Sequence, residues 1–200
     1  MQSATTGKKI FMIVTAVIAW FAILLQFYLK TGSAANFFSF FTVECNLLIA
    51  ISLTILLIAS SSPIGKFFST VSVQSAIALY IFIVSLVYNT VLRGLVPLSG
   101  WGSIVDNLLH VLVPILYIIY WIVFVQKGNL HWKNVIGWSL FPLLYLVYSL
   151  VRGSIVHWYP YPFLNADVLG YEKVSINSLG VLAVFVAGAF GMIALNRIKK

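Results

Sequence analysis

A histidine with an aspartate four residues before it and an asparagine three before it, Asp106-Asn107-Leu108-Leu109-His110, heads an apolar run that continues through Pro114 to Val125. Side chains three and four apart meet on a helix, so Asp106 or Asn107 can orient the imidazole and favour one tautomer, which suits a base. A second polar group, Thr42-Val43-Glu44-Cys45-Asn46, stands near the head of another apolar run. A threonine beside a histidine is the minimum for nucleophilic acyl transfer, because the hydroxyl is weak until a base removes its proton. At 100° per residue Thr42 and Asn46 share a face, which makes Asn46 a candidate oxyanion or positioning donor. Glu44 points nearly the opposite way and needs its own partner. Simpler roles stand beside these: a threonine in an apolar helix usually bonds its own helix carbonyl, and Asp106 could cap the start of its helix.

The elements that must hold these groups follow from composition. With 62% hydrophobic and 8% charged residues and a mean hydropathy of +1.04, the chain of 200 residues reads as an integral membrane protein. Six runs, near residues 10–29, 36–59, 71–92, 104–125, 135–151 and 175–195, are each long enough to cross about 30 Å of hydrocarbon as a helix. The expected fold is a single all-α transmembrane domain over residues 1–200, a bundle of six helices with short loops. The run from Ile10 is too long for a typical signal peptide and is expected to stay as an uncleaved first span. The lone Cys45 excludes an intramolecular disulfide.

A net charge of +8 would suggest nucleic acid for a soluble protein, but these basic residues flank the spans and read as topology signals, with no nucleic acid partner. Lys8, Lys9, Lys66, Lys127, Lys133, Arg197, Lys199 and Lys200 fall on one side, against Lys30, Arg93, Arg152 and Lys173 on the other. That asymmetry predicts both termini in the cytoplasm. Thr42 and His110 then each lie about six residues into inward-running helices, roughly 9 Å below the outer end.

In the fourth span a regular helix aligns Asp106, Asn107, His110, Pro114, Tyr117 and Trp121, with Tyr117 and Trp121 forming an acyl track below the histidine. The third and fifth spans end alike, Leu86-Val87-Tyr88 leading to Arg93-Gly94 and Leu146-Val147-Tyr148 leading to Arg152-Gly153. Each pair could be a snorkelling arginine with a glycine cap, or the two arginines could jointly hold an anionic headgroup, with Tyr88 and Tyr148 beside it. The prolines and aromatics of His157 to Phe163 suit a semi-rigid interfacial cap in the longest connection.

Two function classes fit these residues. One is a lipid ester hydrolase in which Thr42 attacks, His110 carries the proton and Arg93 or Arg152 holds an acidic headgroup, with no cofactor. The other is a transporter or lipid-binding protein whose cavity is lined by Asp106, His110, Glu44 and Asn89. A zinc site is disfavoured because only His110 lies within a span and no His-Glu-x-x-His run occurs, and no lysine sits deep enough in a helix for a retinal Schiff base.

Phe40 to Leu48, Asp106 to Pro114, Phe141-Pro142-Leu143-Leu144-Tyr145, and Tyr159-Pro160-Tyr161-Pro162-Phe163-Leu164 followed by Gly170-Tyr171 resemble a bacterial six-span membrane family over nearly the whole chain. That family is distantly similar to the androgen-induced and androgen-dependent (ADTRP-like) membrane proteins of animals, chiefly around the threonine and histidine. The animal proteins are intramembrane threonine hydrolases of fatty acid esters of hydroxy fatty acids. The resemblance implies a nucleophile at Thr42, a base at His110, a fatty acyl ester substrate and a multi-pass protein of a bacterial cell membrane.

Overall fold

The computed structural model describes residues 2–198, with side chains from residue 6 to 197, so Lys199 and Lys200 lie outside the described residues. The chain folds as α1 (Gln2–Leu29), α2 (Ala34–Phe38), α3 (Phe41–Ile58), α4 (Pro63–Ser69) and α5 (Val71–Val87), the last running into a π-helical turn at Tyr88–Leu92. It continues as α6 (Gly100–Asn107), a second π-helical turn (Leu108–Leu112), α7 (Val113–Phe124), α8 (Asn134–Val156), a short 3-10 turn (Pro162–Leu164) and α9 (Ala166–Ile198). No strand occurs among the described residues.

Six helical segments are long and apolar enough to cross a membrane: 6–29, 41–58, 71–92, 100–124, 134–156 and 166–197. Large apolar side chains such as Val17, Leu24, Ile136, Val147 and Leu179 face outward, the reverse of a water-soluble surface. The bundle packs tightly where side chains are small. Ala16, Ala19 and Ala22 of α1 are buried, and α1 makes its most extensive contact with α3, which contributes Ile49, Ala50 and Leu53 to the same core.

Local chemistry sets the helix ends. Ser33 caps α2 and Ser62 caps α4 by accepting from Asn36 N and Gly65 N, and Pro63 occupies the first turn of α4, where its missing N–H costs nothing. Tyr145 of α8 donates to the Ser39 carbonyl at 2.9 Å and Tyr148 bonds the Ser39 hydroxyl at 2.7 Å, fixing the break that lets α3 begin at Phe41.

Several sequence boundaries move. The fifth and sixth spans extend to 134–156 and 166–197, so the connection expected to be longest shrinks to His157 through Asn165. Gly170, at φ 73°, breaks the helical path within α9 and separates a short leading segment from the span. Gly94, at φ 88°, follows its arginine in the backbone conformation of a glycine cap, whereas Gly153 lies inside α8 and His157 takes the left-handed C-terminal position at φ 51°.

Candidate functional site

Thr42 occupies the first turn of α3, and its own backbone N–H has no intrahelical partner there. Tyr161 supplies one: Thr42 N donates to the phenol oxygen at 3.1 Å, and the two hydroxyl oxygens lie 3.3 Å apart. Since the phenol oxygen already accepts from the backbone, its proton is left to meet Thr42 Oγ1 or to point into the adjoining cavity. Burial of its hydroxyl end pushes the Tyr161 phenol up to about 12, so it stays protonated in neutral and mildly alkaline solution.

Pro142 and Leu143 of α8, Ile83, Val84 and Val87 of α5, and Val181, Leu182 and Phe185 of α9 enclose a cavity of about 120 Å³. Thr42, Tyr88, Tyr145, Tyr161 and Ser178 are its polar lining residues, and no charged residue lines it. The lining suits an acyl chain. Thr42 is 8% exposed, so what little of it is open faces a largely apolar space.

His110 stands in the second π-helical turn, whose signature is the Val113 N–H bonding Leu108 instead of Leu109. Pro114 follows without an N–H, so the carbonyls of Leu109 and His110 both lose their helical donors. Neighbouring helices replace them. Asn46 Nδ2 donates to Leu109 O at 3.3 Å as well as to Thr42 O at 2.8 Å, while Ser85 Oγ and Asn89 Nδ2 donate to His110 O at 2.7 and 3.2 Å. The imidazole Nδ1 lies 3.0 Å from Asp106 Oδ1 and 2.9 Å from Asp106 O, and the ring stacks on Tyr88 with centroids 3.5 Å apart at 9°.

The turn bearing Thr42 and the turn bearing His110 are therefore fastened together by one asparagine. The hydroxyl and the imidazole are not hydrogen-bonded: Thr42 is held by Tyr161, His110 Nδ1 by Asp106, and His110 Nε2 makes no hydrogen bond among the described residues. The depths also differ from expectation, because α3 begins only at Phe41 while α6 begins at Gly100, ten residues before His110.

Other candidates take different roles. Asn46 spends its amide donors on two carbonyls, leaving Oδ1 buried without a partner, so it braces backbone and offers no oxyanion donor. Asp106 lies well inside α6, with Ser99 at the cap position, and bears on His110, not on the helix end. Glu44 has no ion pair among the described residues; it sits in the first turn of α3, where the helix dipole favours a carboxylate. Asn89 supports the His110 carbonyl and does not line this cavity.

Arg93 donates to Asn107 Oδ1 at 2.8 Å, and Asn107 donates back to Ser103 O at 2.8 Å. Arg152 donates to Asn36 Oδ1 and lies over the Trp158 ring. The two arginines share no partner among the described residues. Tyr148 is committed to Ser39.

The expected acyl track is also displaced. Tyr117 is fully buried, and Trp121 donates to Ser75 Oγ at 2.7 Å; neither lines the cavity. The π-helical turn inserts one residue between Asp106 and Tyr117, which rotates the lower half of the span by about 100° relative to a regular helix. The space for a chain opens instead between α5, α8 and α9. Tyr161 and Ser85 are not among the expected site residues; Tyr161 stands only within the Tyr159 to Leu164 stretch of the resemblance and between two prolines, which stiffen a loop without saying what it reaches.

Comparison with protein-family models, curated proteins and solved structures finds no match to the chain.

Proposed function

We propose that the protein is an intramembrane hydrolase of fatty acyl esters, with Thr42 as nucleophile and His110 as base. One observation carries the reading: Thr42 lines an apolar cavity, and Asn46 ties its turn directly to the turn of His110. The ester reaches the cavity from the bilayer between the apolar helices that enclose it. Thr42 Oγ1 leaves Tyr161, gives its proton to His110 Nε2 and bonds the carbonyl carbon. The tetrahedral oxyanion accepts a hydrogen bond from the freed Tyr161 phenol. The alcohol departs with the proton from His110, and water, deprotonated by His110, then releases the fatty acid from Thr42. Asp106 and the Tyr88 ring hold the imidazole for both transfers. Hydrogen bonds between nucleophile and base often tighten only when substrate is bound, which accommodates the separate partners of Thr42 and His110.

In this reading both termini are cytoplasmic, the cavity opens toward the outer leaflet, and the membrane is that of a bacterial cell. A second reading, a lipid-binding protein that holds an acyl chain without cleaving it, is favoured by the Thr42 to Tyr161 bond, since that hydroxyl is already satisfied. A relay for polar solutes has less support, because Glu44, Asn89, Asp106 and His110 do not line the cavity. Hydrolysis of nitrophenyl acyl esters by purified protein separates the first two. The hydrolase reading expects turnover that drops to background in Thr42→Ala; parental turnover in that variant overturns it.

A further inference from the structure

All four acidic residues, Glu44, Asp106, Asp167 and Glu172, stand at the end of the bundle that also carries Lys30, Arg93, Arg152 and Lys173. Among the described residues the other end carries Lys8, Lys9, Lys66, Lys127, Lys133 and Arg197 and no acidic side chain. That end contains a second cavity, of about 360 Å³, between the start of α1, the α3–α4 turn, the start of α5 and the end of α7.

Lys8 reaches into this cavity half-buried. Its ammonium lies 5.7 Å from the Tyr120 ring centroid and makes no ion pair among the described residues. Ser60 and Gln126 also line the space, and their side chains make no hydrogen bond among the described residues. Val71 brings the N-terminal end of α5 to the wall, where the helix dipole adds positive potential. Met12, Leu56 and Phe124 supply apolar wall beside these donors. A half-buried lysine with idle neutral donors and no acid beside it among the described residues calls for an anion, and the adjoining apolar wall calls for that anion to carry hydrocarbon.

We infer that this cavity binds the phosphate of a net-anionic membrane lipid, with Lys8 as its counter-ion and the acyl chains lying along α1 and α7. The site lies at the opposite end from Thr42 and does not depend on the hydrolase reading.

Native mass spectrometry of the purified full chain tests it, with phosphatidylglycerol and phosphatidylcholine offered at equal concentration and inorganic phosphate as a competitor. Phosphatidylglycerol is expected to be retained over phosphatidylcholine, and its affinity to fall about fivefold in Lys8→Met, the contribution of one lysine at an anionic surface. Lys8→Arg keeps the charge and retains binding, and Lys9→Met, at an exposed neighbour, leaves it unchanged. A thermal melt run on each variant confirms that it is folded, and Lys8→Gln, which also removes the charge, replaces Lys8→Met if that variant is not. Equal retention of the two lipids, or a loss in Lys9→Met as large as in Lys8→Met, overturns the proposal. Full displacement by millimolar inorganic phosphate overturns the lipid as the source of the anion and identifies a site for free phosphate.

Discussion

The phenol oxygen of Tyr161 lies 3.1 Å from the Thr42 backbone nitrogen and 3.3 Å from the Thr42 hydroxyl, so a loop between α8 and α9 holds the first turn of α3. In the hydrolase account that phenol restrains the resting nucleophile and then stabilises the oxyanion. Tyr161→Phe is expected to lower kcat about 10²-fold with little change in KM, the size of one lost oxyanion donor. With the phenol pushed up to about 12, it does not ionise near neutral pH, so the variant should fall in rate at every pH without losing an alkaline limb. A pH–rate profile of both proteins measures this.

Asn46 divides its two donors between Thr42 O and Leu109 O in a fully buried setting. Asn46→Leu keeps the volume and leaves the Leu109 carbonyl unpaired, while Thr42 O keeps its helical donor, at an expected cost of about 1–2 kcal/mol. A lowered melting temperature is the expected readout, in contrast to Thr42→Ala, which should melt like the parent. An unchanged melt with abolished turnover would return Asn46 to an oxyanion role.

Pro114 denies the His110 carbonyl a helical donor, and Ser85 and Asn89 supply the replacements. Pro114→Ala restores an N–H, so Ser85→Ala should cost less in that background than alone, with a coupling of about 0.5–1 kcal/mol. A double-mutant cycle of melting free energies checks it. Additive effects would mean that the proline and the serine act independently.

Gly153 gives the Tyr159 ring room against α8: a Cβ there would collide with the ring. Gly153→Ala should displace the His157 to Phe163 cap, costing about 1–3 kcal/mol and loosening Tyr161 from Thr42. The expected result is a lowered melt together with a loss of turnover like that of Tyr161→Phe. A variant with parental stability and rate would show that the cap is not what positions Tyr161.

Hydropathy located all six spans because a run of about 20 apolar residues is both necessary and conspicuous in lipid. The polar heads of the second and fourth spans were visible for the same reason, as costly exceptions. Less legible was anything that depended on phase or on the loop. A projection at a constant angle carried Tyr117 and Trp121 onto the His110 stripe, and the π-helical turn at Leu108–Leu112 removed them from it. Pro114 was the one local sign of that break. Arg93 and Arg152 looked equivalent by sequence, yet each found its own asparagine on a different neighbour, which spacing along the chain does not encode.

Labelling with a fluorophosphonate probe, read by mass spectrometry of the modified peptide, tests the central claim most directly. The account predicts a single adduct on Thr42 that is absent in Thr42→Ala and strongly reduced in His110→Ala while both variants melt like the parent. Parental labelling in His110→Ala, or an adduct on another residue that persists in Thr42→Ala, would contradict it.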